Sequence, residues 1–149
     1  MGTRADFYVG KGKDAEWIGS TAWGGYRDGI DEAVLNAHTE SDFRSAIEAF
    51  FAPRNDVTRP ADGWPWPWNT SKTSDCSYWF FEGRCWDAQG SPDVYVPCDE
   101  QQPEWGNDDE EELQDKWLAN REQIDFPDMS ERKNVTYGQR SGLIVLTAR

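Results

Sequence analysis

The sequence predicts an α+β fold, a small single-layer, antiparallel-rich sheet packed by two or three helices and carrying a long Trp/Pro-rich loop. Three observations lead there. Short β-type runs lie at both ends of the chain, helical periodicity falls between them, and neither a solenoid repeat nor regular βαβ alternation is visible. A length of 149 residues suits one domain spanning 1–149, and nine Trp supply core material despite a charged fraction of 29%.

The first element is a hairpin. Phe7-Tyr8-Val9 and Glu16-Trp17-Ile18 read as strands, and Gly10-Lys11-Gly12-Lys13-Asp14 between them accepts positive φ. The Gly-x-Gly has neither the third glycine of a dinucleotide fingerprint nor the Gly-Lys-Ser/Thr of a P-loop, so it is turn chemistry. Asp28 is positioned to cap a helix through Ala37, with Asp31 and Glu32 complementing its dipole. Thr39 starts a second helix. Thr39-x-x-Asp42 resembles a capping box, Phe43, Ala46, Ile47, Phe50 and Phe51 fall on one face, and Pro53 ends the run. The lone His38 sits in the break between the helices, without a second His or Cys at ligand spacing.

Residues 60–74 read as a loop centred on Gly63-Trp64-Pro65-Trp66-Pro67-Trp68, where alternate prolines hold the backbone extended. Two readings of Trp64, Trp66 and Trp68 stay open. They form a ladder that stacks on sugars, bases or a proline-rich peptide, or they fold back as a lid over the core. Three exposed indoles make an apolar patch monomers seldom tolerate, which favours the lid. Beyond the loop, Ser77-Tyr78-Trp79-Phe80-Phe81, Gly83 and Arg84-Cys85-Trp86 predict a second hairpin. Val94-Tyr95-Val96 predicts a further strand, and Leu143 to Leu146 one buried on both faces.

Charge is unevenly spread. The chain carries 28 acidic and 15 basic residues, a net charge of -13, which opposes direct binding to nucleic acid or an anionic membrane. Segment 99–128 holds twelve acids against Lys116 and Arg121 alone. One explanation is a solvated helix, capped by Asn107 or Asp108 and running to about Ile124, with Leu113, Trp117 and Ile124 on its inner face. The other is a docking face. Carboxylates at i, i+3 and i+4 lie ~5–6 Å apart, near the phosphate spacing of a nucleic-acid strand, so such a helix imitates one before a basic cleft. The contact set would be Asp108, Asp109, Glu110, Glu111, Glu112 and Asp115, anchored by Trp105.

Catalysis has little support. No Gly-x-Ser-x-Gly, His-Glu-x-x-His or deaminase motif is present, the acidic run lacks the turn glycine of an EF-hand, and a single His leaves few routes to general-base chemistry. No cofactor or metal is expected. Cys76, Cys85 and Cys98, separated by eight and twelve residues, match neither a disulfide framework nor a paired zinc site and are read as reduced, packed thiols. No apolar run reaches the length of a membrane span, and the N-terminus lacks signal-peptide regions, so the expectation is a cytosolic protein.

Thr3-Arg4-Ala5-Asp6-Phe7-Tyr8-Val9-Gly10, Gly63-Trp64-Pro65-Trp66-Pro67-Trp68, Arg132-Lys133-Asn134-Val135-Thr136 and Arg140-Ser141-Gly142-Leu143-Ile144-Val145 together resemble a group of uncharacterised bacteriophage and prophage proteins, over nearly the whole chain. The resemblance carries over no functional residue. It implies a phage setting and the host bacterial cytoplasm, where small acidic proteins neutralise CRISPR or restriction complexes by occupying their nucleic-acid sites. The expectation is therefore a non-enzymatic inhibitor of a basic host protein or ribonucleoprotein, with ligand stacking on the Trp ladder as the alternative. Self-association through Arg132, Lys133 and Arg140 against the acidic stretch is a further expectation.

Overall fold

The computed structural model describes residues 3–89, 93–100, 112, 113, 116, 117, 119 and 121–132. Its centre is an open six-stranded sheet of β1 (Ala5–Val9), β2 (Glu16–Thr21), β3 (Val57–Thr58), β4 (Cys76–Phe81), β5 (Arg84–Gln89) and β6 (Val94–Pro97), in spatial order β3-β2-β1-β4-β5-β6. β1 and β4 are parallel and the other neighbours antiparallel, so the α+β expectation is met by a mixed sheet. Both expected hairpins are present. The β4–β5 turn is Glu82-Gly83, both at positive φ (53° and 77°), the backbone of a two-residue turn whose twist matches its strands.

Period-2 alternation sends side chains to two covered faces. On one face Ala5, Phe7, Tyr78, Phe80 and Cys85 pack under α1 (Glu32–Leu35) and α2 (Glu40–Phe51). The α2 face is the one the spacing specifies, since Phe43, Ala46, Ile47, Phe50 and Phe51 are all buried. Phe43 stacks on Phe80 at 5.2 Å, and Phe7 meets Phe51 edge-on at 5.7 Å. The Thr39 side chain accepts the Asp42 N–H at 3.0 Å, so Thr39→Ala is expected to remove about 1 kcal/mol of stability, read from urea unfolding.

The expected helix from Asp28 to Ala37 is shorter. The chain makes a 3-10 turn at Arg27–Gly29 and one helical turn in α1. Ile30 and Asp31 lie between them with ψ of 136° and 138°, which breaks the helical run, and Gly29 packs so close to the Gly24 carbonyl that a Cβ there would clash. The reading of a helix to Ile124 is also corrected. Residues 112, 113, 116 and 117 are helical, but the Arg121 Nε–H donates to the Trp117 carbonyl (3.1 Å) and the chain is extended by Gln123. The Tyr95 N–H donates to Glu122 O and the Ile124 N–H to Asp93 O, so this segment covers the edge of β6. Ile124 is buried there and Trp117 packs on Val94 and Val96, whereas Leu113, expected inside, is exposed. The expected strand 143–146 lies outside the described residues.

The second face of the sheet settles the Trp loop. Trp64 is fully buried against Tyr8, Trp17, Trp79 and Tyr95, with Trp66 and Trp68 packed beside it and Ile124 and Met129 completing the layer. The ladder is a lid.

Candidate functional site

Under the lid lies a polar centre that the sequence reading did not single out. The alternation that aims Phe7 at the helices aims Asp6 at the lid, where its carboxylate is wholly buried. Oδ1 accepts from the Ser20 hydroxyl (2.6 Å) and the Trp66 indole N–H (2.8 Å), and Oδ2 accepts from the Ser71 hydroxyl (2.6 Å). Each serine has a partner behind it. Ser20 Oγ accepts from the Trp17 indole, Ser71 shares a 2.6 Å hydrogen bond with the Tyr8 hydroxyl, and Ser74 Oγ accepts from the Trp68 indole. No cation pairs with Asp6 among the described residues. Burial therefore lifts its carboxyl pKa above the ordinary value, against the hydrogen bonds from Ser20, Ser71, Ser74 and Trp66 that pull it down. Removed from solvent and fully engaged, this centre fixes the lid.

The same geometry decides the availability of the ladder. The Trp64 indole N–H donates to the Trp68 carbonyl (2.7 Å), Trp66 and Trp68 stack on each other at 5.7 Å, and the Arg4 guanidinium lies over Trp68. All three indole N–H groups are spent internally and Trp64 presents no face for an external ring. Among the described residues, the displayed aromatics are instead Trp23, 50% exposed, and Tyr26, 63% exposed. Their loop is held firmly: Asp56 Oδ2 accepts the Ala22 and Trp23 N–H groups, Arg54 donates to Trp23 O, and the buried Tyr78 hydroxyl donates to Gly25 O.

Tyr26 borders a cavity of about 550 Å³ lined also by Arg27, Lys72, Asp75, Cys76, Tyr78, Asp87 and Asp93. Most of its charge is already paired. Arg27 Nε donates to Asp87 at 2.8 Å while its Nη atoms reach the carbonyls of Pro97, Cys98 and Glu100, and Arg4 holds Asp75. Arg27 is thus a clamp on the chain leaving β6. Burial pushes the Cys76 thiol up to about 12, which leaves it protonated and a poor nucleophile at neutral pH. A second groove, of about 430 Å³, includes His38, Asp42 and Ser45, yet no hydrogen bond joins His38 to either among the described residues. It holds no assembled relay. Among the described residues, no group of three or more His, Cys, Asp or Glu side chains could hold a metal, and no helix is long and apolar enough to cross a membrane.

The acidic stretch divides in two. At its flanks the carboxylates serve the fold: Asp99 pairs with Arg84, Glu100 with Arg121 (both 2.5 Å) and Glu122 with Lys11 (2.9 Å), while Arg121 lies over the Trp117 ring. Asp128 accepts the Ser130 N–H, which holds its carboxyl pKa below the ordinary value. Of the expected contact set, Glu112 is exposed and 3.9 Å from Lys116 on the next helical turn, a pairing that solvent makes weak. Trp105, Asp108, Asp109, Glu110, Glu111 and Asp115 lie outside the described residues, as do Lys133 and Arg140, while Arg132 is exposed. Compared with models of protein families, with curated proteins and with solved structures, the chain matches none.

Proposed function

We propose that this protein is a phage-encoded binding protein without enzymatic activity, which blocks a basic, nucleic-acid-handling defence complex of the bacterial host. The observation that supports the reading is how the molecule spends its cations. Among the described residues, Arg4, Arg27, Arg44, Arg54, Arg59 and Arg121 each sit on one of the protein's own carboxylates, which leaves fewer cations to face a partner beside a net charge of -13. Such a surface repels phosphate backbones and draws in clefts lined by Lys and Arg. Because Asp99, Glu100 and Glu122 are neutralised internally, the docking role falls to Asp108, Asp109, Glu110, Glu111, Glu112 and Asp115.

The test is competition. Purified CRISPR effectors and restriction enzymes are loaded with labelled duplex DNA and titrated with the protein at low and at high salt. Displacement from one of them that weakens as salt rises is expected, as for exposed charges under screening. Changing the four Asp and Glu residues at 108–111, with Glu112→Gln and Asp115→Asn, is expected to abolish displacement while leaving Tm within a few degrees. Undiminished competition by that variant would overturn the proposal.

A further inference from the structure

Three cysteines separated by eight and twelve residues look unrelated in sequence, but the sheet register brings two of them together. β5 and β6 pair with Trp86 opposite Pro97, which places Cys85 opposite Cys98 at the next position. The Cys98 N–H donates to Cys85 O at 2.9 Å, and the two sulfurs lie 3.1 Å apart as free thiols. Both are buried, and they face the helix-covered side of the sheet with Phe80. Directly opposed strand residues have Cα atoms ~4.5–5.5 Å apart, inside the range a disulfide spans. Cys76 is excluded from this pair. The β4–β5 register sets Cys85 opposite Phe80, four residues from Cys76, a displacement of about 13 Å along the strand.

We propose that Cys85 and Cys98 form an oxidisable pair that closes to a disulfide with hydrogen peroxide as the two-electron oxidant. Cys98, one residue past β6 and the more exposed of the two, loses its proton as it attacks one peroxide oxygen; burial raises its thiol pKa, which makes this step slow. The O–O bond breaks, one water leaves with the thiol proton, and a sulfenic acid remains. The Cys85 sulfur then attacks the Cys98 sulfur, the S–O bond breaks, and the hydroxide departs as water with the Cys85 proton. Two thiols are oxidised and one peroxide is reduced to two waters. The bond ties β6 to β5 at the point where the chain leaves the sheet for segment 99–128. Arg27 already holds that exit non-covalently through Asp87 and the carbonyls of Pro97, Cys98 and Glu100. The pair thus adds a covalent lock to the base of the acidic stretch, independently of what that stretch binds.

The full chain, treated with hydrogen peroxide and digested without reductant, tests this by peptide mass mapping and thermal unfolding. The expected result is one linked peptide joining Cys85 to Cys98, lighter by two hydrogens, and a Tm raised by roughly 5–10 °C through restriction of the unfolded chain. Cys76→Ser is expected to retain both effects and Cys98→Ser to lose both. The wild-type mass map stands even if a variant fails to fold. Sulfinic or sulfonic acid in place of the bond, a link through Cys76, a link between two copies, or a bond without a rise in Tm would each overturn the proposal.

Discussion

Replacing Asp6 with Asn is expected to cost on the order of 2–4 kcal/mol and to change how stability depends on pH. The cost follows from the donors. Ser20, Ser71 and the Trp66 indole converge on two carboxylate oxygens, and the amide of Asn turns one acceptor into a donor facing a hydroxyl already engaged with Tyr8. The pH effect follows from burial without a counter-charge, which raises the folded-state pKa of Asp6 above the unfolded value near 3.8. A raised carboxyl pKa means the folded state binds the proton more tightly. Its stabilisation is complete below the unfolded pKa and is lost as pH climbs through the folded one. The advantage of wild type over Asp6→Asn should therefore be greatest at acid pH and shrink above it. Glu16, Asp56 and Asp128 have lowered pKa values and act in the opposite sense, but both proteins share them, so they cancel in the difference. Urea unfolding of the two proteins across acid to neutral pH makes the check, and parallel curves would refute the assignment.

Asp6 also marks where the sequence stops being legible. Local patterns carried the first hairpin, the α2 cap and its apolar face, and the Glu82-Gly83 turn, because each depends on residues within a few positions of one another. Asp6 sits inside an apolar strand at a position whose alternation points it inward, and that was the available signal. Its partners lie 14 to 65 residues away, on β2 and in the lid, and no local rule joins them. The same limit hid the Cys85–Cys98 contact, which needs the β5–β6 register. The misread helix at Ile124 shows the converse: Leu113, Trp117 and Ile124 satisfy a helical period, but the bonds from Arg121 to the Trp117 carbonyl and from Ile124 to Asp93 win locally. Of the candidate site, the acids were legible as charge density. Which of them are neutralised depends on Arg84 and Lys11, brought in from other elements, and on Arg121, 21 residues along the chain from the Glu100 it pairs with.

Trp64→Ala is expected to be the most damaging single change in the lid, at about 3–5 kcal/mol. Trp64 is fully buried and meets Trp17 edge-on at 5.2 Å, so truncation opens a cavity between lid and sheet. It also removes the indole N–H that the Trp68 carbonyl accepts at 2.7 Å. Trp64→Phe separates the two contributions by restoring much of the ring volume while leaving that carbonyl short of a donor, and roughly 1–2 kcal/mol should remain lost. The consequences extend past the loop. The Trp64 N–H donates to Arg132 O and the Met129 N–H to Asn69 O, so the lid and segment 129–132 close over the sheet as one layer. If that layer belongs to the cooperative core, Trp64→Ala lowers the urea midpoint with a single transition by both fluorescence and circular dichroism. If the lid were an appended loop, the midpoint would hold and only proteolysis within 60–74 would accelerate. Near-UV circular dichroism should fall sharply in the Ala variant, because Trp17 and Trp79 lose the ordered surroundings that Trp64 provides.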